Sequence, residues 1–209
     1  PPGLTPAPDA PAPDAAPAQP QVADAPPAPP PMTPVTLAVI GDSLSVFLAQ
    51  GLQEIYADKP AGTFTRRNRE SSGLVRDDYY DWPKNLKELL SAGTTFDAVV
   101  VMLGSNDRQQ LRDETGAHDP RSERWNSLYA RRIEAMIAIA QERKVPLIWV
   151  GLPPMRGDRF RADMLAFNDL FRQQAKAAGV AFVDIWEAFA AEDGDYAVSG
   201  PDVGGEIVR

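Results

Sequence analysis

A three-layer α/β/α sandwich around a parallel sheet of about five strands is the fold this chain predicts, on three observations. Apolar runs of strand length recur at 35–40, 97–103, 145–150 and 180–185. Segments of helical periodicity separate them, and a repeated β-α order demands a parallel sheet with helices on its faces. The first two runs each end in a glycine-containing turn, Gly41-Asp42-Ser43 and Gly104-Ser105-Asn106-Asp107. Such turns open at the carboxyl edge of the strands, where open α/β sheets place their chemistry.

Taken in chain order, residues 1–34 stand apart. Fourteen of the 21 prolines fall there, with Ala, Asp and Gln and no Lys or Arg. Too little apolar surface is available to offset the ordering entropy, so the segment reads as a disordered, extended Pro/Ala-rich linker before a domain at 35–209. The run from Val35 to Ile40 reads as a buried parallel strand, and Leu44, Leu48, Leu52 and Ile55 then recur at helical spacing, placing Ser43 at a helix start. Thr63 to Arg67 forms a weaker second strand, followed by a loop with Ser71-Ser72-Gly73 and a helix from Trp82 to Leu90. Beyond the central strand at 97–103 comes a long polar insert, 108–124. Trp125, Leu128, Tyr129, Ile133, Met136, Ile137 and Ala140 mark one amphipathic helix, and Phe160, Met164, Phe167, Phe171 and Ala175 another, capped by Gly179. Right-handed crossovers turn this order into a flavodoxin-like sheet.

Composition excludes several function classes. The formal charge is -8, three units of it on Asp9, Asp14 and Asp24, and no basic stripe is present, which argues against nucleic acid. Without cysteine there is neither a disulfide nor a thiolate metal site. Neither a phosphate-loop lysine nor a metal-ligand cluster is found, so no cofactor is expected. No stretch reaches the length of a membrane span. The chain opens on Pro1 and closes on Gly204-Gly205-Glu206-Ile207-Val208-Arg209. The expectation is that a signal peptide or membrane anchor precedes it, which would place the domain in the periplasm or cell envelope.

Chemistry centres on Ser43. A serine hydroxyl attacks only when a base takes its proton, and acyl transfer also needs donors aimed at the developing oxyanion. At a helix N-terminus Ser43 has backbone N–H groups and the helix dipole beside it. The plainer alternative is an N-cap, and Ser45 in place of glycine rules out the Gly-x-Ser-x-Gly elbow. Asn106 can donate to the same oxyanion from the neighbouring strand end, and Gly73 can offer its backbone N–H. Each also has an ordinary reading, as a turn residue and as a loop glycine.

Gly41-Asp42-Ser43-Leu44-Ser45, Gly73 and Gly104-Ser105-Asn106-Asp107 together resemble the first three sequence blocks of the GDSL/SGNH hydrolases, in the same order and strand placement. The resemblance implies that Ser43 is the nucleophile and that its amide, Gly73 and the Asn106 side chain form the oxyanion hole. It extends to a bacterial group of uncharacterised cell-envelope SGNH-like proteins, through Ser72-Gly73-Leu74-Val75-Arg76 with Asp81-Trp82-Pro83, Gly104 to Gln109, and Trp149-Val150-Gly151-Leu152-Pro153-Pro154. That superfamily's closing Asp-x-x-His has no counterpart before Arg209; Asp202 has Gly205 three residues on. Gly200 to Gly205 looks like the approach to this block. The expectation is therefore an enzyme as the intact gene product, with residues 1–209 alone lacking the catalytic Asp and His.

His118, the one histidine, sits in a turn-like setting and is given no catalytic role. Arg108 and Gln109, with Arg112, are candidates for substrate binding at the cleft mouth, and Pro153 for shaping a wall. Asp184 reads as a local hydrogen-bonding residue. The leading expectation is a serine-dependent esterase or O-acyltransferase acting through an acyl-serine intermediate on O-acylated cell-envelope carbohydrate, its partner a small-molecule or carbohydrate acyl ester, with oligomeric state left open. The alternative is a non-catalytic periplasmic binding or scaffold module. A phosphoacceptor domain fares poorly, because the central strand ends in Leu103-Gly104 and the last strand supplies no lysine.

Overall fold

A computed structural model of the chain describes Gly3, residues 34–57, 62–202 and 204–208. The linker expected at 1–34 lies, but for Gly3 and Pro34, outside the described residues. In chain order the elements are β1 (Thr36–Gly41), α1 (Ser43–Tyr56), β2 (Thr63–Asn68), α2 (Trp82–Ser91), β3 (Ala98–Met102), β4 (Leu111–Asp113), β5 (Gly116–His118), α3 (Glu123–Glu142), β6 (Leu147–Val150), α4 (Asp158–Ala178), β7 (Ala181–Val183), α5 (Trp186–Phe189), β8 (Gly200–Pro201) and β9 (Ile207–Val208).

Five strands form one sheet in the order β2-β1-β3-β6-β7, every neighbouring pair parallel. β3 is central and buried along its whole length, as its unbroken Ala-Val-Val-Val-Met sequence requires. Successive residues of β1 and β3 face opposite sides. Ala38, Ile40, Val99 and Val101 join the larger core, with residues of α2, α3 and α4, while Val39, Val100 and Met102 pack against Ala49 of α1. Aromatic rings tie α3 to α4, with the Trp125 ring stacked at 4.5 Å on Tyr129 and at 5.2 Å on Phe167.

Differences from expectation are local. The polar insert 108–124, to which the sequence pattern assigns no element, contains the antiparallel hairpin β4–β5, with Leu111 opposite His118. The last strand is shorter than the apolar run suggests, since it occupies the sheet edge and Ala181 and Val183 are exposed. Gly179 caps α4 in the left-handed region, at φ +67°.

Candidate active site

Two tight turns at the carboxyl ends of β1 and β3 build the site. Gly41 is required at the first: its φ is +148°, and a Cβ there would lie 1.8 Å from the Met102 carbonyl oxygen of the adjacent strand. The next residue, Asp42, is the N-cap of α1, accepting from Leu44 N at 3.0 Å through Oδ1. Ser43 is therefore the first helical residue and not the cap. Its hydroxyl is half-buried and, among the described residues, no protein group hydrogen-bonds it.

Asp42 does more than cap. Its Oδ2 accepts from Gly104 N and Ser105 N, both at 3.0 Å, and from Ser105 Oγ at 2.8 Å. This carboxylate fastens the Ser43 turn to the Asn106 turn. Burial raises its pKa above the ordinary carboxylate value, with the four hydrogen bonds opposing the shift. Ser45 completes the turn, its hydroxyl donating to the Asp42 carbonyl at 2.6 Å and accepting from Asn68 Nδ2 at the end of β2.

Asp107 organises the third segment. It is fully buried; Oδ2 accepts from Leu74 N at 2.8 Å and Tyr129 Oη at 2.7 Å, and Oδ1 accepts from Val75 N at 2.8 Å. A Cβ at position 73 would come within 2.0 Å of Asp107 Oδ1, so only glycine lets the loop close on this carboxylate. From the other side Arg132 of α3 donates through Nη1 to the Leu74 carbonyl. Burial pushes the Asp107 pKa up to about 6 despite the hydrogen bonds from Tyr129, Val75 and Leu74. Burial, reinforced by Asp107, drives the Tyr129 phenol well above its usual range, so it stays a donor.

Asn106 Nδ2 donates to the Ser72 carbonyl at 2.9 Å, which leaves its second amide hydrogen available and joins this turn to the peptide preceding Gly73. The Gly73 N–H donates to no protein oxygen among the described residues. Neither does the Ser43 N–H have an intrahelical partner, since it belongs to the first turn. The structure thus joins the segments carrying Ser43, Gly73 and Asn106 through hydrogen bonds between them, and on each an N–H is left without a protein acceptor among the described residues.

The other sequence candidates fall elsewhere. Gln109 Nε2 donates to the Asn106 carbonyl at 3.0 Å, bracing the turn. Arg108 Nε bonds Asp163 Oδ2 at 2.7 Å and lies over the Phe160 ring. Pro153 is half-buried after β6, where Asn168 closes on both backbone groups of Leu152 at 2.7 and 2.8 Å. His118 Nε2 meets Asp113 Oδ1 at 2.9 Å and Thr115 Oγ1 at 3.1 Å. The Thr115 hydroxyl, then His118 and Arg124, hold the Asp113 carboxyl well below the usual range. Asp184 accepts from Trp186 N, the local bond expected of it. Asp42 and Asp107 are the residues sequence reading missed, although each adjoins a residue it singled out. Among the described residues no group of three or more His, Asp or Glu is placed to hold a metal ion.

Solved structures similar to this chain share its architecture. TesA is 22% identical over 78% of this chain and 89% of that one, with a TM-score of 0.53. A GDSL-like lipase from Bacteroides thetaiotaomicron is 14% identical over 77% and 73%, with a TM-score of 0.54. An acetyl-xylooligosaccharide esterase from Geobacillus is 17% identical over 78% and 86%, with a TM-score of 0.52. No curated protein sequence matches the chain. The family described as "Protein of unknown function (DUF459)" matches residues 36–209. That span takes in both turns, the Gly73 loop and all five strands of the sheet, and the chain accordingly belongs to the DUF459 family, with a fold shared with a solved SGNH-hydrolase family esterase.

Proposed function

We propose that this protein is a serine-dependent esterase or O-acyltransferase working through an acyl-Ser43 intermediate. The observation that carries this is the hydrogen-bonded joining of three segments that, among the described residues, each keep an N–H without a protein acceptor, on Ser43, Gly73 and the Asn106 amide, with the Ser43 hydroxyl likewise unbonded. Ser43 Oγ attacks the ester carbonyl carbon as a base takes its proton, and the three donors receive the charge that develops on the carbonyl oxygen. The ester C–O bond then breaks and the leaving alcohol takes the proton. Water, or a sugar hydroxyl in the transferase version, attacks the acyl-serine and restores Ser43. The engagement of His118 by Asp113 and Thr115 supports a base other than His118.

O-acylated carbohydrate of the cell envelope is the proposed substrate. One similar structure being an acetyl-xylooligosaccharide esterase supports the carbohydrate part, and the Pro-rich composition of residues 1–34 supports a tether in the envelope. A second reading, a binding or scaffold module of the same fold, is favoured by that same engagement of His118.

Asn106→Ala separates the two. In the full-length protein it is expected to lower kcat on a short-chain acyl ester by about 10²–10³-fold with little change in KM, because the amide acts on the transition state. Ester turnover equal to the parent's, or no turnover in the parent, contradicts the esterase reading.

A further inference from the structure

Between the insert and the start of α4 lies a cavity of about 330 Å³ lined by Arg108, Gln110, Asp119, Arg121, Arg159 and Asp163, besides Pro120. Its floor is a buried carboxylate. Asp163 is 4% exposed and is shared by two guanidinium groups, Arg108 Nε at 2.7 Å and Arg121 Nε at 3.0 Å. Both arginines use Nε for this contact. Among the described residues their terminal nitrogens donate to no protein oxygen. Arg108 is further fixed by the Phe160 ring, 4.3 Å from its guanidinium carbon. Asp119 is engaged by Gln110 Nε2 at 2.8 Å, and Arg159 is exposed with no carboxylate partner among the described residues.

Three arginines against two aspartates leave this cavity with an excess of positive charge, in a chain whose formal charge is -8. Asp163 does not quench the arginines so much as fix them, since one carboxylate holds both guanidinium groups through Nε and leaves their terminal N–H groups without a protein acceptor among the described residues. Arg121 adopts φ +72°, a left-handed conformation that a side chain disfavours, immediately before the N-cap of α3. Such strain is retained where surrounding structure demands the side chain in one place. Arg108 also lies two residues beyond Asn106, so their Cα atoms are at most about 7 Å apart. The cavity adjoins the turn that carries the oxyanion donor.

We infer that this cavity binds an anionic group, a carboxylate or a phosphate, on the molecule whose ester is presented to Ser43. The inference rests on the esterase reading and narrows it to acyl esters of acidic carbohydrates or of phosphorylated ones. Paired guanidinium forks suit either group, since both present coplanar oxygens at matching spacing.

The test needs no ester and is therefore independent of turnover at Ser43. Nitrogen-15-labelled protein is titrated at low salt with glucuronate, with inorganic phosphate and with glucose, following amide resonances. Glucuronate or phosphate is expected to shift residues 108–110, 119–121 and 158–163, and glucose is not. A stronger response to glucuronate assigns an acidic sugar, and a stronger response to phosphate a phosphorylated one. Arg121→Ala should weaken anion binding by about tenfold, the loss of one charge-assisted pair. Arg159→Ala, at an exposed position where folding is not at stake, should weaken it by about threefold or more. No response to either anion, shifts confined to another surface, or undiminished binding in Arg159→Ala would overturn the inference. Failure of Asn106→Ala to slow ester turnover, with anion binding intact, would instead count against the esterase reading alone.

Discussion

Asp42→Ala is expected to lower the unfolding free energy by on the order of 4 kcal/mol and to abolish ester turnover in what still folds. The side chain is wholly buried and satisfies three backbone N–H groups and one hydroxyl, drawn from the Ser43 turn and the Asn106 turn. Removing it strands donors that water reaches poorly, and each orphan costs about 1–3 kcal/mol. Ser105→Ala, which deletes one of these bonds and leaves the carboxylate its other partners, should cost only about 1 kcal/mol. Urea denaturation of the two variants supplies the comparison. If Asp42→Ala proved no more harmful than Ser105→Ala, this carboxylate would not be the joint between the turns.

Asp107→Asn is expected to be the next most damaging, by about 2–3 kcal/mol, because an amide offers one acceptor oxygen where Leu74 N, Val75 N and Tyr129 Oη need two. The pH dependence is the more distinctive readout. The carboxyl's pKa rises from 3.8 to about 6 on folding, so between those values the native state holds more proton than the unfolded chain. Stability from this group is thus fully present below pH 3.8 and is lost as pH rises through about 6. Asp42, also raised by burial, contributes with the same sign. Denaturation midpoints measured from pH 4 to pH 7 should fall more steeply in the parent than in Asp107→Asn. Parallel curves would mean that Asp107 does not titrate in this window.

The sheet was legible in the sequence where burial is two-sided. β1 and β3 are apolar at every position that matters, and their order and spacing allowed only a parallel arrangement. Legibility fell at the edges. Arg66 and Arg67 are exposed on β2, diluting its pattern, and the apolar run at 180–185 overstates β7 because an edge strand tolerates exposed valine. The β4–β5 hairpin has three-residue strands, too short for any period, and is held by the Asp113 carboxylate accepting from Thr115.

At the candidate site, Gly73, in a loop five residues beyond β2, gained its role only beside the other two motifs, whereas Ser43 and Asn106 could be singled out because strand-end turns announce themselves. What joins them could not. Asp42 reaches partners 62 and 63 residues away, and Asp107 reaches the Gly73 loop across 32 and 33 residues. In sequence both are ordinary turn aspartates. Arg108 was legible as a basic residue near the cleft, whereas its pairing with Asp163 across 55 residues depends on how α4 packs.

Covalent labelling of the full-length protein by a fluorophosphonate, with peptide mass spectrometry to locate the adduct, decides whether Ser43 is the nucleophile. One phosphonyl group is expected on Ser43, lost in Ser43→Ala and formed markedly more slowly in Asn106→Ala. An adduct on any other residue, or labelling undiminished in Ser43→Ala, would contradict that role.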